Sequence, residues 1–96
     1  MSVFLIANAT VTDPAMLDEY MAAAGPTLGG DITLHVLTND AETLEGEPAG
    51  SRAVVIEFPS RDALQAWYDS PEYRACIGLR HGSTKGFVIV ADGFTR

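Results

Sequence analysis

The chain opens on Val3-Phe4-Leu5-Ile6-Ala7-Asn8-Ala9-Thr10-Val11, a run rich in branched and apolar side chains without Gly or Pro. Such a run predicts a strand buried on most of both faces. Asp13-Pro14 follows, a capping carboxylate and then proline at the first helical position, where its missing N–H costs nothing. Leu17, Tyr20, Met21 and Ala24 then recur at helical spacing on one face, and Gly25-Pro26 ends the helix. Ile32 to Thr38 alternates at first, fenced by Gly29-Gly30 and Asn39-Asp40, and reads as a second strand before a polar loop from Asn39 to Ser51. Ala53 to Phe58 is the third strand, stopped by Pro59. Ser60 is placed to cap a helix holding Ala63, Leu64 and Trp67 on one side. Ser70-Pro71 repeats the cap-then-proline signal and breaks this second helical region, whose later piece carries Tyr73, Cys76, Ile77 and Arg80 along one stripe. Gly86 to Ala91 is the last strand, closed by Asp92-Gly93.

The order βαββαβ predicts an α+β sandwich, the ferredoxin-like arrangement of two helices on one face of a four-stranded antiparallel sheet. All 96 residues are expected to form one domain. On the third strand Val54, Ile56 and Phe58 make the apolar row that should meet the helices, leaving Val55 and Glu57 opposite. The same alternation on the second strand turns Ile32, Leu34 and Val36 inward and Thr33, His35 and Leu37 outward. Yet the first and last strands are apolar on both faces, with Phe4 and Ile6 backing Leu5 and Ala7, and Phe87 and Ile89 backing Val88 and Val90. A sheet covered by helices on one side should be polar on the other in a monomer, so a homodimer joined through the sheets is expected.

Composition narrows the partners. Thirteen acidic against six basic residues give a net charge of -7, which repels phosphate backbones and anionic headgroups and argues against nucleic acid or membrane. The single cysteine allows no intrachain disulfide. The first apolar run is too short for a signal peptide or a membrane span and has no basic flank, so a cytoplasmic location is expected. No metal and no organic cofactor is expected: one cysteine and two distant histidines give no zinc spacing, the acidic loop around Gly46 lacks the calcium-loop pattern, and Gly25 to Gly30 lacks a P-loop ending.

Thr12-Asp13-Pro14, Tyr20, Gly29-Gly30, Leu44-Glu45-Gly46, Glu57-Phe58-Pro59-Ser60 and above all Trp67-Tyr68-Asp69-Ser70-Pro71-Glu72-Tyr73 form a combination spread over nearly the whole chain. In these motifs the sequence resembles the uncharacterised family called domain of unknown function 1330. That resemblance implies membership of the dimeric α+β barrel superfamily, in which two ferredoxin-like subunits join their sheets. Relatives there include cofactor-free monooxygenases, isomerases, haem-binding enzymes and proteins of no known activity, so the resemblance speaks to architecture more than to chemistry. One departure stands out: where family members carry a basic residue and two glycines after the second strand, this chain has His35-Val36-Leu37 and a longer loop to Leu44.

In many relatives of that superfamily the ligand lies between helices and sheet. The residues placed to line that space here are Tyr20, Trp67, Tyr68, Tyr73, Arg80 and His81, and aromatic walls with phenol and guanidinium donors suit a planar or acidic organic ligand. The plainer alternative is that aromatics at helical spacing simply fill the core. A second candidate is the opposite sheet face, where His35 and Glu57, with Asn8 in the row of Phe4, Ile6 and Thr10, would make a general acid–base pair; the alternative is ordinary hydrogen bonding at a dimer seam. Cys76 reads as a small hydrophobe and Ser70 as a helix cap. The expected function is a small-molecule pocket between helices and sheet, in a cofactor-free monooxygenase- or isomerase-like enzyme or, alternatively, in a non-catalytic ligand-binding or stress-related dimer.

Overall fold

A computed structural model describes residues 2–94. It comprises strand β1 (Val3–Val11), helix α1 (Pro14–Ala24) with a single 3-10 turn (Gly25–Thr27), β2 (Thr33–Thr38), β3 (Arg52–Phe58), three short helices α2 (Arg61–Tyr68), α3 (Pro71–Arg74) and α4 (Ile77–Ser83), and β4 (Thr84–Asp92). The strands form one antiparallel sheet in the order β2-β3-β1-β4, the ferredoxin-like topology. Among the described residues no helix is long and apolar enough to cross a membrane.

Three of the four helices start where the sequence supplies an acceptor, and α4 alone has no side-chain cap. The Asp13 carboxylate accepts from the Met16 N–H, Ser60 Oγ from the Ala63 N–H and Ser70 Oγ from the Tyr73 N–H, each satisfying one of the amides that a first helical turn leaves without a partner. The second helical region breaks twice. Beyond the expected break at Ser70-Pro71, α3 ends after one turn and Cys76 caps α4 from an open turn instead of sitting within a continuous stripe. Its thiol is buried and donates to the Tyr73 carbonyl at 3.2 Å.

The core lies between one sheet face and the helices. Val3 and Leu5 of β1 and Ile56 and Phe58 of β3 meet Leu64, Trp67, Tyr73, Cys76 and Ile77 there. The register explains the choice of residues: Leu5 pairs with Ile56 on one side and Val90 on the other, and Ala7 with Val54 and Val88, so all six point the same way. β4 begins at Thr84, two residues ahead of Gly86. Gly86 lies against β1 so closely that a Cβ there would collide with the backbone of Asn8 and Ala9.

β2 departs from simple alternation. Thr33 pairs with Glu57 and Leu34 with Ile56, but Val36 pairs with Val55 and Leu37 with Val54, leaving His35 as the extra residue of a bulge. A one-residue insertion reverses the faces beyond it. The expected assignment of Val36 to the helix side and Leu37 to the outer side is therefore corrected: Leu37 joins Leu34 on the inner face, and Val36 joins Thr33, His35 and Glu57 on the outer one.

Candidate functional site

The inner face of the sheet carries a hollow. Ala7 and Ala9 of β1 leave its floor low where Leu5 and the Val54–Ile56 row rise beside it, and α1 bridges the gap with Tyr20, Met21 and Ala24. Trp67 and Tyr68 of α2, Tyr73 of α3, and Arg80 and His81 of α4 complete the wall, and Leu34 and Leu37 of the edge strand border the rim. The hollow, open on one side, holds about 370 Å³, within the range of cavities that hold small organic molecules.

The aromatic residues form one stacked group. The Trp67 and Tyr73 rings have centroids 4.1 Å apart, and Tyr20 meets Tyr73 edge-on at 6.3 Å. Trp67 Nε1 donates to Thr27 Oγ1 at 2.9 Å, which fixes the indole and satisfies its one donor. Tyr68 sits beside this group, with the Arg74 guanidinium over its outer face. The Tyr20 and Tyr73 hydroxyls are 2.8 Å apart. Burial first, then the bond to Tyr73, hold the Tyr20 phenol well above the usual tyrosine range, so it remains a neutral donor. One of the two hydroxyl protons makes the mutual bond; the other is left for a further acceptor.

Two guanidiniums flank this pair. Arg80, on α4, donates from Nη2 to His81 Nε2 at 3.2 Å, which assigns the imidazole nitrogen as the acceptor and puts the ring proton on Nδ1. Its Nε is buried and has no hydrogen-bond partner. Arg52 is only 7% exposed. Its Nη1 donates to Asn39 Oδ1 at 2.8 Å and its Nη2 approaches Met21 Sδ at 3.6 Å, while desolvation pulls its pKa down from the ordinary arginine value. Arg52 was no candidate in the sequence, yet the signal is there: stepping back by twos from Phe58 through Ile56 and Val54 lands on it. The third strand, read as starting at Ala53, stops one residue short.

The opposite sheet face holds the other candidates. His35 Nε2 and Glu57 Oε1 lie 2.7 Å apart, the ring tilted against Phe4 with centroids 5.9 Å apart. The Ser2 side chain, then the His35 ring, hold the Glu57 carboxyl below the usual range. Both partners are open to solvent, with no cavity wall around them. Asn8 does not join them. It pairs with Ala53, well along the strand from the Phe4–Glu57 pair, and its amide is fully used: Nδ2 donates to the Gly50 and Arg52 carbonyls and Oδ1 accepts from the Ala49 N–H. Asn8 pins the end of the polar loop. Among the described residues no three His, Cys, Asp or Glu side chains gather as a metal site.

Several solved structures share this architecture. A protein of unknown function from Rhodopseudomonas palustris superposes with a TM-score of 0.76 at 15% identity, over 99% of this chain and 84% of that one. A dimeric ferredoxin-like protein of unknown function from Thermobifida fusca gives 0.68 at 17% identity, covering 95% and 90%. SnoaB, a cofactor-independent oxygenase from Streptomyces nogalater, gives 0.68 at 13% identity, covering 99% and 95%. At these identities the likeness is one of fold. Comparison with curated proteins found no significant match. The family match covers residues 2–94, and the run from Trp67 to Tyr73 that suggested it builds the aromatic wall of the cavity: the chain belongs to the domain of unknown function 1330 family.

Proposed function

We propose that this protein binds a small organic molecule in the cavity between its helices and its sheet and works as a homodimer joined through the outer sheet face. The observation that carries the reading is the cavity itself: about 370 Å³, walled by Trp67, Tyr68 and Tyr73 and reached by the hydroxyls of Tyr20 and Tyr73 and by Arg80. A core designed only for packing would close such a space, because each unfilled volume forfeits dispersion contacts. The dimer is supported by the dimeric state of the Thermobifida fusca protein and by the apolar rows this chain leaves open on its outer face.

A cofactor-free catalytic role is the second reading, favoured by the fold shared with SnoaB, a cofactor-independent oxygenase. Cationic and phenolic donors around an apolar hollow would stabilise an anionic form of a bound substrate, the species such chemistry must generate. His81 is the candidate for the base, its Nε2 becoming free to take a proton once the Arg80 guanidinium turns from it to the bound anion.

Trp67 is the only tryptophan in the chain and lines the cavity, so its fluorescence reports occupancy directly. Titrating a panel of planar aromatic compounds should quench or shift that emission for a subset of them. Arg80→Ala should weaken binding of those hits about tenfold while leaving the dimer intact, since a charge-assisted contact is lost and little packing is. Oxygen uptake or product formation by any hit then separates enzyme from binder. If no compound perturbs Trp67, or hits bind equally to Arg80→Ala and respond instead to His35→Ala, the cavity is not the site.

A further inference from the structure

Charge in this protein is distributed against its own composition. Thirteen acidic residues outnumber six basic ones, yet none of the thirteen lines the cavity, while Arg52 and Arg80 both do. Lys85 borders it too, although its pairing with Thr10 turns its side chain to the outer row. Neither arginine meets a carboxylate of a described residue; the carboxylates of Glu57 and Asp69 contact His35 and Arg74, away from the cavity. A guanidinium out of water and without a counter-ion is costly. Arg52 pays part of that cost back only with the neutral oxygen of Asn39 and a methionine sulfur. Arg80 keeps a buried Nε–H with nothing to receive it.

Tyr20 connects them. Its hydroxyl lies within electrostatic reach of both guanidiniums, and the Tyr20–Tyr73 pair has one proton in excess of its own hydrogen bond. Two donors without acceptors, the Arg80 Nε–H and the spare hydroxyl proton of the tyrosine pair, therefore share with the Arg52 guanidinium a hollow otherwise lined largely by apolar and aromatic side chains, among them Leu5, Ala7, Val54, Ile56 and Trp67. From this arrangement we infer that the ligand is an organic monoanion, a flat apolar body bearing a carboxylate or a similarly delocalised oxyanion, whose charge is gripped between Arg52 and Arg80 while its body lies against the aromatic wall. Planar carboxylates match the guanidinium fork in geometry and charge. Neutral molecules of the same shape would leave both cations unpaired.

This inference rests on the cavity being the binding site, and the test separates the two. Naphthoate and naphthamide have nearly the same shape and differ in charge; their affinities are measured by calorimetry on the intact protein. Naphthoate is expected to bind at least about tenfold more tightly than naphthamide. Arg52→Gln and Arg80→Gln should each lower naphthoate affinity about tenfold and leave naphthamide unchanged, with Arg52→Lys retaining part of the effect. Ala7→Phe, which fills the floor of the hollow, should abolish both. The acid-to-amide ratio is read on the unaltered protein, so a variant that fails to fold does not decide the outcome. Equal binding of the two probes, both lost in Ala7→Phe, would overturn the anion clamp and leave the cavity reading standing. Failure of both to bind, or binding indifferent to Ala7→Phe, would overturn both.

Discussion

Tyr20 is the residue on which stability and the proposed recognition meet. Its phenol is buried against Tyr73, and its pKa is raised from the ordinary 10.0, first by desolvation and then by that hydrogen bond. A group held protonated in the folded chain contributes fully below its unfolded pKa; as pH climbs past that value the unfolded chain ionises and the folded one does not, so stability falls. Denaturation midpoints should therefore drop above about pH 10, and Tyr20→Phe should flatten this decline while losing about 1 kcal/mol at neutral pH from the broken hydroxyl pair. A steep alkaline loss unchanged in Tyr20→Phe would show that another group is responsible. Tyr20, Tyr73 and Arg80 were legible in the sequence because helical spacing places them on apolar stripes facing the sheet. Arg52 was not: a charge at the start of a strand usually marks a solvent-exposed end, and what buries this one is α1 arching over it with Met21, a tertiary contact that local spacing does not carry.

Among the elements, β2 is where the sequence misleads and where the consequence is sharpest. Alternation predicted every element of the sheet in order, and the caps at Asp13, Ser60 and Ser70 were fixed by residue type alone. The bulge at His35 was not legible, since one extra residue leaves an unbroken run from Thr33 to Thr38 and only pairing with β3 reveals it. That bulge decides which face of the sheet each neighbour takes. Leu37 borders the cavity, and Val36 stands on the outer face opposite Val55, although both are about equally exposed in the single chain. Leu37→Glu should thus weaken ligand binding by placing a carboxylate beside a cationic hollow, and leave subunit association nearly unchanged. Val36→Glu should do the reverse. Measuring association by light scattering and binding by calorimetry on both variants distinguishes the bulged register from strict alternation, which predicts the opposite pairing of effects.

At the scale of the whole molecule the chain is a thin slab, 34 × 33 × 17 Å across its Cα atoms. Two layers account for the short dimension: helices on one side, a bare sheet on the other. The bare face carries Phe4, Ile6, Val36 and Val55, with Phe87 47% and Ile89 50% exposed beside them. Soluble monomers seldom leave large apolar patches in water, and covering this face with the same face of a second copy, as proposed above, would give a self-complementary two-fold interface. His35 and Glu57 lie at the rim of that face, joined by a hydrogen bond of 2.7 Å. Because the Glu57 pKa is lowered in the folded chain, its contribution is present above the ordinary carboxylate value and is lost as pH falls through the lowered one. Light scattering at micromolar concentration should report twice the mass of one chain near neutral pH. Ile89→Glu, which places a charge within the apolar face, should yield a folded monomer, and Glu57→Gln should remain dimeric while losing the share of acid dependence that Glu57 contributes. A wild-type chain that scatters as a monomer would mean that the outer sheet face is content in water, and the apolar rows of β1 and β4 would then need another occupant.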